Sequence, residues 1–248
     1  MSYPAKWHSI YGDKTGESAR RILPPLLDLF GIRSLVEIGC GNGHWTQAAI
    51  DHGVEDYLAV DGHWNKRDEL LVDQTRFREA DLTLPLALDR RFDLAICLEV
   101  AEHVAASSAE TLVSSLVGSA DILVFGAAIP YQGGSGHINE QWPSYWRELL
   151  AERDYEAFDL VRQRHWTDRS IHYWYRQNTL VYVSRRHRKA MEQATQASGG
   201  IPMTIVDLVH PEKFEETASY SAISLKRLVR RLPGWVLGRI KSKLRGIG

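Results

Sequence analysis

Short apolar runs alternate with longer amphipathic stretches over most of the chain, and this alternation restricts the fold more than any other feature of the sequence. It is typical of crossover units, in which parallel strands are joined by helices. The last two runs are separated by too few residues for a crossover helix, so we expect them to pair antiparallel. The pattern predicts an α/β fold around a mostly parallel sheet. The predicted strands are residues 34–39, 56–61, 75–81, 92–98, 121–127, 157–161 and 179–184, and the predicted helices are residues 17–30, 44–52, 107–118 and 143–152.

The composition is that of a globular protein with one full-sized α/β domain and a modest extension. Of the 248 residues, 44% are hydrophobic and 25% are charged, which is ordinary for a soluble protein. No apolar run is long enough to span a membrane, and the N-terminal MSYPAKWHSIYGDK lacks the apolar core of a signal peptide. We therefore expect a cytoplasmic protein whose two cysteines, Cys40 and Cys97, are reduced thiols.

Charge is divided unevenly along the chain. Residues 221–248 hold eight Lys or Arg and no acid, so the net charge of -1 divides into +8 for this segment and -9 for residues 1–220. Apolar residues recur in the segment at helical spacing with Lys and Arg opposite, which is typical of a helix on an anionic membrane surface. A helix packed on the domain would give the same pattern. We predict peripheral contact with the inner face of the membrane and, because the rest of the chain is acidic, no nucleic-acid binding.

The sequence VEIGCGNGHW, residues 36–45, is the strongest local motif. A predicted strand that contains Glu37 runs into Gly39, Gly41 and Gly43 and then into a predicted helix. Glycines at these positions let the backbone turn sharply and approach a ligand where a side chain would collide. Nicotinamide-binding folds use a similar turn, but their motif has a third glycine at a position that this G-x-G-x-G spacing lacks. The motif predicts a nucleotide-type site at the end of the first strand.

Acidic residues follow at the ends of the next strands. Asp61 ends the second strand, where a carboxylate can accept hydrogen bonds from both hydroxyls of a ribose. Asp81 and Leu82 follow the third strand, where an acid beside a backbone amide suits an adenine edge, and Glu99 follows the fourth. Each acid alone could be a helix cap or part of a solvated turn. Together with the acid of the first strand, their order at successive strand ends indicates one binding site.

The segments VEIGCGNG, AVDG, EADLT and FDLAICLEVAEHV together resemble the successive motifs of class I S-adenosylmethionine-dependent methyltransferases, over roughly residues 10–186. The resemblance implies a Rossmann-like, doubly wound, seven-stranded sheet with the last strand antiparallel. It also implies a methyltransferase domain, residues 1–186, followed by a linker and a basic amphipathic helical extension, residues 187–248. The implied cofactor is S-adenosylmethionine, with S-adenosylhomocysteine as product. The implied cofactor-binding residues are Glu37, Gly39, Cys40, Gly41, Asn42, Gly43, Asp61, Gly62, Asp81, Leu82, Leu98 and Glu99.

The sequence GGSGHINEQWPSYW, residues 133–146, follows the fifth predicted strand and should overhang the site, because ligands bind at the carboxyl ends of such strands. With the later HYWYRQNTLVYV, it resembles a bacterial subgroup associated with saccharide and natural-product modification. An acceptor hydroxyl must lose its proton during methyl transfer, and an imidazole suits that task. We predict His137 and His103 as catalytic residues, with His137 the favoured base. The predicted substrate-binding residues are Glu140, Gln141, Trp142, Tyr145, Trp174, Tyr175 and Arg176.

Each of these residues also has a structural interpretation. His103 could pack beneath the cofactor, His137 could order the loop through a hydrogen bond, and the aromatic rings could form an apolar lid over the core. Glu102, His103 and Glu140 could contribute ligands to a divalent ion. No tight ligand spacing supports such an ion, so the predicted site has no metal.

These patterns predict an O-methyltransferase whose acceptor is a saccharide, oligosaccharide or other polyhydroxylated bacterial metabolite. The sequence does not distinguish this activity from methyl transfer to nitrogen or to a non-sugar hydroxyl, because the choice of acceptor depends on the shape of the pocket. A cofactor-binding scaffold without turnover, held at a membrane surface, is an alternative from a different class. A nicotinamide-dependent oxidoreductase is disfavoured by the glycine spacing.

Overall fold

The computed structural model describes residues 5–200 and 203–218, with side chains from residue 14 onward. The basic segment 221–248, with its predicted helices, lies outside these residues. The strands are β1 (Ser34–Ile38), β2 (Asp56–Asp61), β3 (Phe77–Glu79), β4 (Phe92–Leu98), β5 (Ala120–Gly126), β6 (Tyr155–Phe158) and β7 (Leu180–Ser184). They form one sheet in the order β3-β2-β1-β4-β5-β7-β6. All pairings are parallel except those of β7, which is antiparallel to β5 and β6. The predicted fold class is confirmed.

Helices flank the strands along the chain. They are α1 (Ala5–Phe30), α2 (His44–Asp51), α3 (Ala109–Ser119), α4 (Pro143–Ala151), α5 (Arg162–His165), α6 (Tyr173–Asn178), α7 (Arg188–Ala197) and α8 (Pro211–Ala218). α1 begins well before the predicted start at residue 17. The connection between β6 and β7 contains α5 and α6, which are too short to cross the sheet, and the two strands pair antiparallel as predicted. None of the described helices is long and apolar enough to cross a lipid bilayer.

The alternation of side chains along each strand supplies two cores, one on each face of the sheet. On β4, Leu94 and Ile96 pack in one core with residues of α1, α2 and α7. Ala95 and Cys97 pack in the other core with residues of α3 and α4. Helices therefore cover both faces, which makes the sheet doubly wound. Four buried residues of α1 recur at helical spacing and explain why it lies on the first face: Ile22, Leu23, Leu26 and Leu27.

The first compact unit continues past residue 186 to His210. α7 buries Ala190 and Ala194 in the same core as α1. Further along the chain, the buried Arg162 guanidinium donates to the carbonyl oxygens of Val206 and Ile205, at 2.6 and 3.2 Å. The folded unit therefore extends beyond the predicted domain end. A second unit begins at Pro211, and the structure describes its helix α8.

Candidate active site

A cavity of about 370 Å³ lies at the carboxyl ends of β1, β2 and β4. This is the edge of a doubly wound sheet at which ligands bind. Gly43 and Gly62 hold the turns beside it: the N–H of Gly43 donates to the carbonyl oxygen of Cys40 at 2.8 Å, and the N–H of Gly62 donates to Asp61 at 2.6 Å. The other predicted cofactor residues line the cavity: Glu37, Gly39, Cys40, Gly41, Asn42, Asp61, Asp81, Leu82, Leu98 and Glu99.

The turn after β1 requires glycine at position 39. Gly39 has a φ of +83°, and a Cβ there would lie 2.3 Å from a methyl carbon of Val100. The N–H groups of Gly39 and Cys40 donate to the carbonyl oxygen of Val60, at 2.8 and 3.0 Å, which ties the turn to β2. At Gly41, a Cβ would meet no atom within 4 Å. The backbone at Gly41 therefore presents open space on the cavity wall, where a ligand can approach closely.

Glu37 places a buried carboxyl group on this wall. It is 3% exposed, and its Oε2 accepts hydrogen bonds from the backbone N–H and the hydroxyl of Thr46, at 2.9 and 2.5 Å. Burial raises the pKa of Glu37 to about 8, because the bonds from Thr46 offset only part of the desolvation penalty. A cationic group of a ligand beside Glu37 would favour its ionised form again.

Asp61 holds the glycine-rich turn through both of its carboxylate oxygens. Oδ2 accepts from the N–H of Gly41 and Oδ1 from the N–H of Gly62, each at 2.6 Å. Burial raises the pKa of Asp61 despite these bonds. The side chains of Asn65 and Trp64 also hydrogen-bond to this carboxylate. Asp81 is exposed and accepts two hydrogen bonds from Thr83, which lower its pKa.

Several cavity-lining residues had no place in the predicted site. Trp64 is one of them: a Cβ at Gly62 would lie 2.2 Å from its ring, so the ring packs directly on the backbone after Asp61. Trp64 follows the strand-end acid Asp61 by three positions, and its flat face can pack on a planar ring of a ligand. The other lining residues that were not predicted are Thr15, His44, Trp45, His63, Asn65, Lys66, Glu69, Thr83, Val100 and Val104. His103 and Tyr175, which were predicted for catalysis and substrate binding, also line the cavity.

Glu99 is held by two amide side chains from distant parts of the chain. Nε2 of Gln132 donates to Oε2 of Glu99 at 2.8 Å, and Nδ2 of Asn178 donates to Oε1 at 2.9 Å. Glu99 has a φ of 55°, a left-handed conformation that is uncommon for a residue with a side chain. Burial raises the pKa of Glu99 to about 7. The carboxyl group is thereby fixed at the cavity in an environment that readily holds a proton.

His103 and His137 meet beside Glu99. His103 lines the cavity, whereas His137 lies off its wall and packs edge-on against the His103 ring, with centroids 4.8 Å apart. Nδ1 of His103 lies 3.2 Å from the carbonyl oxygen of Gly136. Burial, and to a smaller extent the neighbouring His137, lowers the pKa of His103 to about 4. Of the two predicted catalytic residues, the structure therefore places His103 directly against the cofactor cavity, as a neutral imidazole.

Glu102 is a fully buried acid next to this pair. Neither of its carboxyl oxygens completes a hydrogen bond of ordinary geometry within the described part of the chain. Desolvation raises the pKa of Glu102 well above its usual range and the charge of Glu99 adds to this, while the N–H groups of Glu102 and Ala128 offset part of the effect. The carbonyl oxygen of Glu102 accepts from the N–H groups of Ile138 and Asn139, at 2.9 and 3.0 Å. These bonds tie the loop that carries His137 to the Glu102 turn.

Glu140, which was predicted to bind substrate, closes the loop of residues 131–142. Its carboxylate accepts from the N–H groups of Tyr131 and Gly133, at 2.8 and 2.6 Å, and lies 3.0 Å from Nδ1 of His137. A Cβ at Gly134 would lie 2.2 Å from Nε2 of His137, so only a glycine leaves room for the ring there. Glu140 thus orients His137 and orders the loop.

The predicted substrate residues of the later segment divide between the cavity and the interior. Tyr175 lines the cavity, and its ring meets that of Trp45 edge-on with centroids 5.1 Å apart. Trp174 stacks on His172, with centroids 3.8 Å apart. Arg176 is 1% exposed and donates to carbonyl oxygens of its own segment. Neither Trp174 nor Arg176 lines the cavity, so direct contact does not support their predicted roles in substrate binding.

The remaining three predicted substrate residues lie where the loop enters α4. Nε2 of Gln141 donates to the side chain of Asn139 at 3.0 Å. Trp142 is 36% exposed and immediately precedes α4. Tyr145 lies in α4 and packs edge-on against the buried Trp146 ring. None of the three is on the cavity wall within the described residues, so a role in substrate binding requires contact with a part of the substrate that projects from the cavity.

Residues 12–116 match a family model described as a methyltransferase domain. Among solved structures, the chain is similar to the sugar N-methyltransferase KedS8 from Streptoalloteichus sp ATCC 53650, at 16% identity and a TM-score of 0.58, over 75% of this chain and 94% of that chain. It is also similar to DesVI from Streptomyces venezuelae, at 11% identity and a TM-score of 0.53, over 72% of this chain and 96% of that chain. A further similar structure is an S-adenosylmethionine-dependent methyltransferase from Clostridium acetobutylicum ATCC 824, at 12% identity and a TM-score of 0.52, over 72% and 98% of the two chains. No curated protein sequence matches the chain.

The matched segment holds the glycine-rich turn and the acids at the ends of β1, β2 and β4, and the structural likeness shows the fold. Together they show a methyltransferase-domain match over residues 12–116 and a fold shared with solved methyltransferases.

Proposed function

We propose that this protein is an S-adenosylmethionine-dependent methyltransferase that acts on a hydroxyl of a saccharide or of another polyhydroxylated bacterial metabolite. The observation that carries the proposal is the position of His103 on the wall of the cofactor cavity, braced by His137 and the loop of residues 131–142. An imidazole pair at this place suits an acceptor that must lose a proton during the reaction.

The residues present fit the cofactor. Gly41 leaves open space on the wall, where any larger side chain would project into the cavity. Glu37 offers a buried carboxyl group to an ammonium group, Asp61 offers a carboxylate to ribose hydroxyls, and the Trp64 ring offers a flat face to adenine. When bound, S-adenosylmethionine supplies a methyl group attached to a positively charged sulfur.

The chain's own residues position the acceptor and accommodate its proton. Methyl transfer is an in-line displacement, so holding the acceptor oxygen in line contributes much of the rate. His103 is neutral because of its lowered pKa, so it adds no positive charge beside the sulfonium. The acceptor hydroxyl lies beside the His103 and His137 pair and loses its proton as the new carbon–oxygen bond forms.

A second candidate is methyl transfer to the amino group of an amino sugar. The likeness to KedS8, which is described as a sugar N-methyltransferase, favours it. A neutral amine is nucleophilic without a base and releases its proton only after transfer. This acceptor would therefore depend less on the histidine pair than a hydroxyl does.

The first test of the proposed function is calorimetric titration of the chain with S-adenosylmethionine, S-adenosylhomocysteine and NADH. We expect saturable binding of the two adenosyl ligands and no binding of NADH. Binding of NADH alone would contradict the methyltransferase function.

The acceptor is tested with radiolabelled S-adenosylmethionine and a panel of sugars, amino sugars and non-sugar polyols. We expect label in the sugar hydroxyls, with His103→Ala lowering turnover far more than cofactor affinity. Label confined to amino sugars, at a rate that His103→Ala leaves unchanged, would replace the first candidate by the second. Cofactor binding without transfer to any acceptor would favour the non-catalytic scaffold.

A further inference from the structure

Three side chains beside the cavity have the arrangement of a cation site. One potential ligand atom from each of Glu102, His103 and His137 lies within 4.8 Å of the other two. Two ligand atoms on opposite sides of an ion, each at about 2.1 Å, are about 4.2 Å apart. Small side-chain rotations would therefore bring the three atoms around one ion.

The burial of Glu102 is a second, independent observation. Its carboxyl group is fully buried, and neither oxygen completes an ordinary hydrogen bond within the described residues. A buried carboxyl group whose hydrogen bonding is incomplete is costly, so such groups are normally paired or coordinate a metal. The groups near it are the two imidazoles, the carboxyl groups of Glu99 and Glu140, and the N–H groups of Glu102 and Ala128. None of these is a fixed cation.

The hydrogen bonds of the two histidines match those of metal ligands. Nδ1 of His103 faces the carbonyl oxygen of Gly136, and Nδ1 of His137 faces the Glu140 carboxylate. Both partners can only accept, so the ring proton of a neutral imidazole lies on Nδ1 and the lone pair on Nε2. Metal-bound histidines are oriented in this way, by a carboxylate or a backbone carbonyl on the other ring nitrogen.

We propose that Glu102, His103 and His137 bind a divalent transition-metal ion at the edge of the cofactor cavity. Two imidazole nitrogens and one carboxylate oxygen suit ions such as Mn²⁺, Fe²⁺, Co²⁺ or Zn²⁺ better than Ca²⁺. Three protein ligands leave coordination positions open for the substrate. The spacing of these residues in the sequence could not indicate this site, because His137 lies in a separate loop. The hydrogen bonds of Glu140 and of the Glu102 carbonyl hold that loop against the turn that contains His103.

This inference rests on the proposed function, which places the acceptor beside the two histidines. It narrows the substrate class to polyols with two adjacent hydroxyls. Both oxygens of such a pair can occupy open positions of one ion. Coordination lowers the pKa of the reacting hydroxyl, which releases its proton to water. The alkoxide oxygen then bonds to the methyl carbon, and the carbon–sulfur bond breaks with its electron pair passing to sulfur. The histidines act in this step as ligands of the ion.

The test uses the full chain, freed of metal by dialysis against a chelator and then titrated with Mn²⁺ alone. Free Mn²⁺ is followed by its electron paramagnetic resonance signal. We expect one ion to bind per chain, and we expect Glu102→Gln and His137→Asn each to weaken binding by about tenfold or more. Glu110→Gln and His52→Asn change the same residue types at sites outside the cluster, and they should bind Mn²⁺ like the wild type.

Thermal unfolding and S-adenosylhomocysteine binding of each variant show whether it is folded. His137 lies on a loop, so His137→Asn keeps the test decisive even if Glu102→Gln does not fold. Absence of bound Mn²⁺ in the wild type, or equal binding by wild type and folded variants, would overturn the metal site. Methyl transfer to a sugar hydroxyl that continues at full rate in excess chelator would also overturn it, yet leave the proposed function intact. Bound Mn²⁺ without transfer to any hydroxyl would count against the proposed function alone.

Discussion

The folded protein disfavours the charged form of the Glu37 carboxyl group. The pH dependence of stability therefore tests the environment of Glu37 without any substrate. Its pKa rises from 4.5 to about 8 on folding. The folded protein therefore keeps a proton that the unfolded chain releases above about pH 4.5, so stability is lost as the pH rises from there through about 8. Glu37→Gln keeps an oxygen that can accept from Thr46 but cannot ionise. Between pH 5 and pH 8, we expect the wild type to lose about 3 kcal/mol more stability than this variant.

The measurement is denaturant unfolding of both proteins across that pH range. Glu148→Gln removes a carboxyl group from the exposed part of α4 and should follow the wild-type curve. Parallel curves for the wild type and Glu37→Gln would show that burial does not disfavour the charge of Glu37.

Gly39 sets the path of the backbone at the cofactor site. Gly39→Ala would introduce a Cβ 2.3 Å from a methyl carbon of Val100, at a φ of +83° that side chains rarely adopt. We expect affinity for S-adenosylhomocysteine to fall by about tenfold or more, a cost of about 1.4 kcal/mol or more. Gly118→Ala is the matched control, since a Cβ there meets no atom within 4 Å and Gly118 lies in a helix. Equal affinities in calorimetry would show that the turn tolerates a side chain.

At the scale of single residues, the sequence predicts those that belong to a local motif. Glu37 lies near the end of β1, Asp61 ends β2 and Glu99 follows β4. All three line the cavity. The amides of Gln132 and Asn178, which hold Glu99, are 33 and 79 residues away from it in the chain. No local pattern marks such partners, because only the folding of the sheet brings them together.

Among the elements, the loop of residues 131–142 has the clearest test. Glu140 accepts from two backbone N–H groups and contacts His137. In Glu140→Gln, one of the two oxygens becomes an amide nitrogen that cannot accept, so the loop loses at least one of these bonds. We expect faster hydrogen exchange in this loop and lower turnover, with cofactor affinity unchanged, because Glu140 is not on the cavity wall.

Hydrogen exchange by mass spectrometry and a calorimetric titration check this prediction. Glu152→Gln, which changes an acid at the end of α4, should leave both the loop and the turnover as in the wild type. Unchanged exchange in residues 131–142 would mean that the loop does not depend on Glu140 for its order.

The elements near the end of the sheet show why residue type alone does not predict the direction of a side chain. Arg176 follows three aromatic residues, a pattern that suits sugar recognition. In the structure, α6 turns the Arg176 side chain inward, where its guanidinium donates to the carbonyl oxygens of Ile171 and Trp166. A helix as short as α6 has too few residues to show a hydrophobic periodicity in the sequence. The direction of its side chains therefore follows from packing that the sequence does not display.

For the molecule as a whole, the alternating pattern predicted the sheet, whereas the extent of the folded unit depends on long-range contacts. The polar residues after β7 suggested a linker. The unit nevertheless continues to His210, because a buried Arg162 needs acceptors for its guanidinium and finds them at Val206 and Ile205. These bonds, together with the buried Ala190 and Ala194 of α7, join the polar segment after β7 to the first unit.

The division of charge between residues 1–220 and the segment 221–248 leads to a prediction about the complete chain. The segment carries a charge of +8 against -9 for the rest, and each basic residue near an anionic lipid surface contributes about 1 kcal/mol to binding. We expect the chain to sediment with vesicles that contain phosphatidylserine and not with neutral phosphatidylcholine vesicles, with binding reduced at high salt. Replacing four basic residues of the segment by Gln should abolish binding: Arg227, Arg230, Arg231 and Arg239.

The matched control places the same loss of four charges on an exposed basic stretch of the first unit, at Arg185, Arg186, Arg188 and Lys189. This variant has the same net charge as the segment variant, so a difference between the two assigns the lipid contact to residues 221–248. Equal loss in both would show that net charge alone governs adsorption. Sedimentation with neutral vesicles, or no sedimentation of the wild type with anionic ones, would contradict the membrane contact. Either result would favour the alternative interpretation, a basic helix packed on the domain.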